Sequence, residues 1–167
     1  MKETEETLLA KDSSNPTAEN IKTIKGKIIL IDDQKYECEL LVESLKKKNW
    51  HVKVEYFMDS EEALQYLMNT KDDLFLIISD MNMPKMNGLD LKKAIDSHDD
   101  LRKKTIPFIF SSTSELNEQV IEAYKYRVQG FFTKPVSFEK QAEMLDIIIK
   151  YWIVCKHPVI ESPKLQA

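Results

Sequence analysis

The chain has 167 residues and a formal net charge of −4, with acidic and basic side chains interspersed. That length fits one domain of ordinary size with tails, large enough to bury a core without disulfide or metal staples. The mixed, mildly acidic balance argues against nucleic-acid binding, which favours a basic face, and no apolar run approaches the roughly 18 residues of a membrane span.

Residues 1–24 are rich in Glu, Thr, Ser, Asn and Lys and poor in large apolar groups. Such a segment cannot offset its ordering entropy and reads as a tail. Its acidic start, Met1-Lys2-Glu3-Thr4-Glu5-Glu6, lacks the apolar stretch of a secretory signal, so a cytoplasmic protein is expected. From residue 27 the texture changes: short apolar runs at 28–31, 52–57, 74–78, 106–110 and 130–133 alternate with longer stretches of helical period. Cys38, Leu41, Val42 and Leu45 share one helical face, and Lys46-Lys47-Lys48 ends that helix, where cations suit the negative terminus. Ala63, Leu64 and Leu67 share the next face, Leu116, Val120 and Tyr124 another, and Phe138, Leu145, Ile148 and Trp152 mark a last helix. The expected domain spans 25–155, and 156–167, with Pro158 and Pro163, reads as a second tail. Cys38 and Cys155 lie far apart without metal-ligand spacing and read as free thiols.

Strand–helix alternation implies an α/β fold with a parallel sheet covered on both faces. The runs at 28–31, 74–78 and 106–110 are continuously apolar, as central strands should be. Val52-Lys53-Val54-Glu55-Tyr56 alternates, as an edge strand with one wet face would, and the short run opening at Gly130 also suits an edge. The order 2-1-3-4-5 satisfies all five. In that order the connections reverse between strands 1 and 3, where ligands favour the crevice.

Four of the five runs end on a group with chemistry. Asp32-Asp33 follows the first, Asp80 the third, Ser112 the fourth, and Lys134-Pro135 the fifth. Asp80 opens a Pro/Gly-punctuated loop, Asp80-Met81-Asn82-Met83-Pro84-Lys85-Met86-Asn87-Gly88. Singly, each of these could be turn or cap chemistry. Jointly, three carboxylates on one rim repel unless a hard, oxygen-seeking cation joins them, and Mg²⁺ suits carboxylates, a carbonyl and waters. Mg²⁺ held this way usually serves a phosphate. Lys134 then offers a point charge to one phosphate oxygen and Ser112 a hydroxyl donor to another. With no Cys or His at these strand ends, Asp80, central among them, is the candidate nucleophile, because carboxylates can accept a phosphoryl group.

With these residues in this order, the chain resembles the receiver domain of response regulators in two-component signalling, over about residues 26–152. The resemblance implies a flavodoxin-like fold and a stand-alone receiver rather than a turnover enzyme. It implies that Asp32, Asp33, Asp80 and the backbone carbonyl of Asn82 hold Mg²⁺, and that Asp80 is the phosphoacceptor. Ser112 matches the switch hydroxyl, Phe131 the switch aromatic that is often Tyr, and Lys134 the lysine followed by Pro135, whose peptide bond is expected to be cis. Counting from Pro107 and back from Lys134 selects Ser112 over Ser111. Thr113 stands where a very small residue is usual, so its branched side chain is expected to crowd the acceptor and slow exchange. The implied partners are a histidine kinase or histidine phosphotransfer protein and a downstream protein. The implied output surface comprises the fourth helix, fifth strand and fifth helix. Met144, Leu145, Ile147, Ile148, Ile149, Tyr151, Trp152, Ile153 and Val154 exceed one buried stripe, which suits a partner or homodimer face. A phosphorelay intermediate or phosphate sink is the alternative. A phosphatase of the haloacid dehalogenase type would carry two Asp separated by one residue, whereas Asp33 is followed by Gln34-Lys35. A nucleotide or flavin binder would want glycine in the loop after the first strand, and that loop has none.

Overall fold

Short apolar runs joined by stretches of helical period leave the backbone one efficient arrangement: strands side by side, with helices crossing over both faces. A computed structural model, which describes residues 22–156, adopts it. The elements are β1 (Lys22–Ile31), α1 (Lys35–Lys47), β2 (Trp50–Phe57), α2 (Ser60–Asn69), β3 (Leu74–Ser79), α3 (Gly88–Ser97), α4 (Asp99–Lys104), β4 (Phe108–Ser112), α5 (Asn117–Lys125), β5 (Gly130–Thr133) and α6 (Phe138–Val154). The strands form one parallel sheet in the order β2-β1-β3-β4-β5.

Strand alternation divides the interior into two layers. Ile29, Ile31, Ile77, Phe108 and Phe110 face Ala63, Leu67, Leu91, Ile95 and Ala123 of α2, α3 and α5. Ile28, Leu30, Leu76, Ile78 and Ile109 face Leu41 and Leu45 of α1 and Leu145, Ile148 and Ile149 of α6. The edge strand β2 is tied to that second layer by Trp50, whose indole Nε1 donates to Asp146 Oδ1 at 2.8 Å.

Several boundaries differ from expectation for identifiable reasons. β1 begins at Lys22, so residues 22–24 of the expected tail are strand. Ile24 is buried in the layer that holds Trp50, and Lys22 and Thr23 pair with Trp50 and His51. The register then shifts before Lys27, across Gly26 at φ +95°, a conformation L side chains rarely adopt. β4 begins at Phe108 rather than 106, because Pro107 has no N–H to give the ladder, although its carbonyl accepts from Ile77 N at 2.9 Å. Sequence reading names no helical face between strands 3 and 4, where α3 and the short α4 lie. The expected fourth and fifth helices are therefore α5 and α6. The Leu116–Val120–Tyr124 face points outward, with Leu116 and Tyr124 exposed, and α5 is anchored by buried Ala123 instead. Residues 1–21 and 157–167 of the expected tails lie outside the described residues. Among the described residues no helix is long and apolar enough to cross a membrane.

Asn87 caps α3 by accepting from Asp90 N, and Gly88 N donates to Met81 O at 3.0 Å. That bond seats the first residue of α3 on the backbone of Asp80. A Cβ at Gly88 would lie 2.1 Å from the Asp80 carbonyl oxygen and 2.7 Å from Phe110 Cε1. Gly88→Ala is therefore expected to destabilise the protein by about 1–3 kcal/mol through overpacking, read from the midpoint of urea unfolding. An unchanged midpoint would mean that α3 can lift off Asp80 freely.

Candidate functional site

Because every strand runs the same way, the residues that follow their carboxyl ends gather on one rim. The rim residues stay registered through backbone bonds that continue the ladder: Asp32 N to Phe57 O at 3.0 Å, Asp80 N to Ile31 O at 2.8 Å, and Lys134 N to Ser112 O at 2.8 Å. One carboxylate oxygen from each of Asp32, Asp33 and Asp80 lies within 4.8 Å of the others. Asp32 and Asp80 are buried and Asp33 is half-buried. Further bonds fix Asp32: its Oδ1 accepts from Gln34 N at 2.9 Å, and its carbonyl accepts from the Tyr56 hydroxyl at 2.8 Å. Burial, and then the neighbouring Asp32 charge, push the Tyr56 phenol up to about 12.

The Lys134 ammonium lies among the acids. It is 2.6 Å from Asp32 Oδ2, 3.3 Å from Glu37 Oε1 and 3.8 Å from Asp80 Oδ2. Burial favours its neutral form, but the Asp32 hydrogen bond and the charges of Asp32, Asp80 and Glu37 outweigh this and hold it above the usual lysine range. Asp80 titrates above its ordinary value because burial outweighs the pull of Lys134 and of the Asn82 and Met81 N–H groups. Asp32 is likewise raised by burial, against the opposing bonds from Lys134 and Gln34 N. The site is therefore anionic and under-compensated. Asp33 Oδ1 is buried with no hydrogen-bond partner, an orphaned acceptor among three acids. A hard cation would satisfy it, so the donor set fits Mg²⁺.

Asn82 joins the Asp80 loop to the next elements. Its N–H lies 3.4 Å from Asp80 Oδ1, its Nδ2 donates to Ser112 Oγ at 3.4 Å, and its Oδ1 accepts from Gln119 Nε2 of α5 at 3.3 Å. Ser112 is fully buried, and its Oγ also accepts from Ser114 N at 3.2 Å. Phe131 is half-buried, with its ring 6.0 Å from that of Phe110. Thr113 is exposed. Every peptide bond among the described residues is trans, so the expected cis bond before Pro135 is not found. Trans is the lower-energy isomer of an X-Pro bond by roughly 0.5–1 kcal/mol, and in it Lys134 already reaches Asp32.

The structure thus gathers Asp32, Asp33, Asp80, Asn82, Ser112 and Lys134 on one rim, with Phe131 set back along β5, paired with Phe110. Sequence reading missed Glu37 and Gln119. Glu37 carried a signal: it stands four residues before Leu41 and eight before Leu45, on the buried face of α1. A Glu on an apolar face demands a partner. Gln119 carried none, because an exposed helix accepts glutamine anywhere.

Comparison with known proteins agrees with this fold. The family model for the response regulator receiver domain matches residues 28–146. The chain is 30% identical over 125 residues to the chemotaxis protein CheY1 of Helicobacter pylori, an alignment covering 74% of this chain and 96% of that one. Among solved structures, the phosphorylated cyanobacterial phytochrome response regulator RcpA superposes with a TM-score of 0.73 at 25% identity, covering 81% of this chain and 100% of that one. The Mn²⁺-bound form of response regulator Rcp1 gives a TM-score of 0.70 at 25% identity, over 80% of this chain and 99% of that one. With the family model covering most of the chain and a five-stranded parallel sheet in this order, the chain belongs to the response regulator receiver domain family of two-component signalling.

Proposed function

We propose that this chain is a phosphoacceptor, taking a phosphoryl group onto Asp80 from a histidine kinase or histidine phosphotransfer protein. The observation that carries this reading is the convergence of Asp32, Asp33, Asp80 and Lys134 on one rim. An Asp80 carboxylate oxygen bonds to phosphorus as the P–N bond of phosphohistidine breaks, and the bonding pair leaves with the imidazole nitrogen. The carboxylate needs no base to become a nucleophile. Asp32, Asp33, Asp80 and the Asn82 carbonyl would hold Mg²⁺, which when bound neutralises charge on the acids and on phosphoryl oxygens. The Mn²⁺ reported for Rcp1 and the phosphorylated state of RcpA support both parts by relationship. Lys134 offers its ammonium to one phosphoryl oxygen, and the Ser112 hydroxyl, once turned from Asn82, donates to another.

Output follows from the shared bonds. Ser112 and Asn82 cannot be drawn to a phosphoryl group without disturbing the Asn82–Gln119 bond that reaches α5. Withdrawal of Ser112 opens space, and Phe131, packed only partly inward against Phe110, rotates to fill it. Lacking a hydroxyl, it acts by packing alone. The two arrangements are alternative populations, and phosphorylation shifts their ratio by its differential contacts. The readout surface is α5, β5 and α6, where Ile121, Tyr124, Ile147, Tyr151 and Val154 are exposed. That apolar face suits a downstream protein or a second copy of the chain. We assign the protein a signalling role in the cytoplasm rather than turnover of a substrate.

Incubation with acetyl phosphate and Mg²⁺ is expected to label the protein on Asp80, and chelation of divalent ions or Asp80→Asn is expected to abolish the label. Undiminished labelling of Asp80→Asn would remove that residue from the mechanism.

Charge relief gives a second test. A carboxyl whose folded pKa is raised binds its proton more tightly folded than unfolded, so its contribution to stability falls as pH rises from the unfolded value to the folded one. Metal-free Asp80→Asn is therefore expected to melt above the wild type. The gain should be absent below about pH 4, the ordinary carboxyl range, and complete above the raised pKa of Asp80. Mg²⁺ at 100 times its Kd should stabilise the wild type by about 2.7 kcal/mol and the variant by less. A variant that melts below the wild type at pH 7 without metal would contradict the charge assignment.

A further inference from the structure

Lys134 is held by an acid outside the metal-binding triad. Glu37, in the first turn of α1, is buried, and its Oε1 lies 3.3 Å from Lys134 Nζ, nearer than Asp80 Oδ2 at 3.8 Å. The two side chains are equally withdrawn from solvent, each 9% exposed. The groups differ in what a cation does to them. Asp32, Asp33 and Asp80 form the acidic triad, so a bound cation divides their charge. Glu37 is not in that cluster, so its full charge remains available to Lys134. Beside both residues is a cavity of about 30 Å³, lined also by Asp32, Asp80, Ser111 and Gln141.

We propose that Glu37 is a positioning residue that competes with the incoming phosphoryl group for Lys134 and so limits how fast and how fully Asp80 is phosphorylated. This rests on the phosphoacceptor reading above. An anion arriving on Asp80 must draw the ammonium from a partner already in contact, and Glu37 adds one more negative charge to a site that has to take up another. The position therefore sets the level of phosphorylation, whereas the triad sets whether it occurs.

The test compares wild type with Glu37→Gln, Glu37→Ala and Glu37→Asp, using acetyl phosphate at saturating Mg²⁺ and a separate Mg²⁺ titration. Both uncharged variants are expected to be phosphorylated faster, by about tenfold, the equivalent of one charge-assisted contact. They are also expected to bind Mg²⁺ more weakly, because a nearby anion is gone. Glu37→Asp, which keeps the charge, should stay near the wild-type rate. Simple structural damage would lower both quantities, so a gain in rate with a loss in metal affinity separates the two. Two uncharged variants keep the test alive if one fails to fold. Equal or slower phosphorylation of the folded uncharged variant overturns the role of Glu37 while leaving Asp80 as acceptor. If the wild type itself takes no label, the receiver reading fails instead.

Discussion

Three carboxylates share one ammonium group at the end of this sheet, with a fourth acid beside them, and that imbalance is the constraint on which the site depends. Asp32, Glu37 and Asp80 contact Lys134 or lie close to it, while Asp33 Oδ1 has no partner. Burying charged groups costs stability unless counter-charges arrive, and burial raises the carboxyl pKa values of Asp32 and Asp80 despite the opposing pull of Lys134. The strain is local. The two apolar layers beneath are continuous and fully buried on both faces of the central strands. A well-packed sheet thus holds an electrostatically unfavourable rim, as is usual where function opposes stability.

The rim is tied to the surface by few bonds, and each leads somewhere useful. Gly88 lets α3 rest on the carbonyl of Asp80, so the Asp80 backbone cannot shift without moving a helix. Asn82 bonds both Ser112 and Gln119, so the loop after β3 and the start of α5 move together. Phe131 lies behind Ser112 against Phe110, which also limits the space at Gly88. A packed core responds to such changes by switching between arrangements rather than by deforming smoothly.

Much of this was legible in the sequence because it depends on periodicity and strand ends. Continuous apolar runs at 28–31 and 74–78 specified central strands, and the alternation in 52–57 specified an edge. From these came the order of the sheet and the meeting of Asp32, Asp33, Asp80, Ser112 and Lys134. Where reading failed, the deciding physics was tertiary. The start of β1 depends on Ile24 finding Trp50, and the start of β4 on an N–H that Pro107 lacks. The outward face of α5 depends on Ala123 being the residue that fits against the sheet. The isomer before Pro135 is a small energy difference that no local pattern decides. Glu37 was visible in principle as a charge on an apolar face, but its partner is 97 residues away in the chain.

The most direct test of the account is a crystal structure of the protein with Mg²⁺ and beryllium fluoride, a mimic of the phosphoryl group. The account predicts the fluoride group on an Asp80 oxygen, with Lys134 Nζ and Ser112 Oγ within about 3.2 Å of it and the Ser112–Asn82 bond broken. A fluoride group bound elsewhere, or one on Asp80 with Lys134 still on Glu37 and Ser112 still on Asn82, would contradict it.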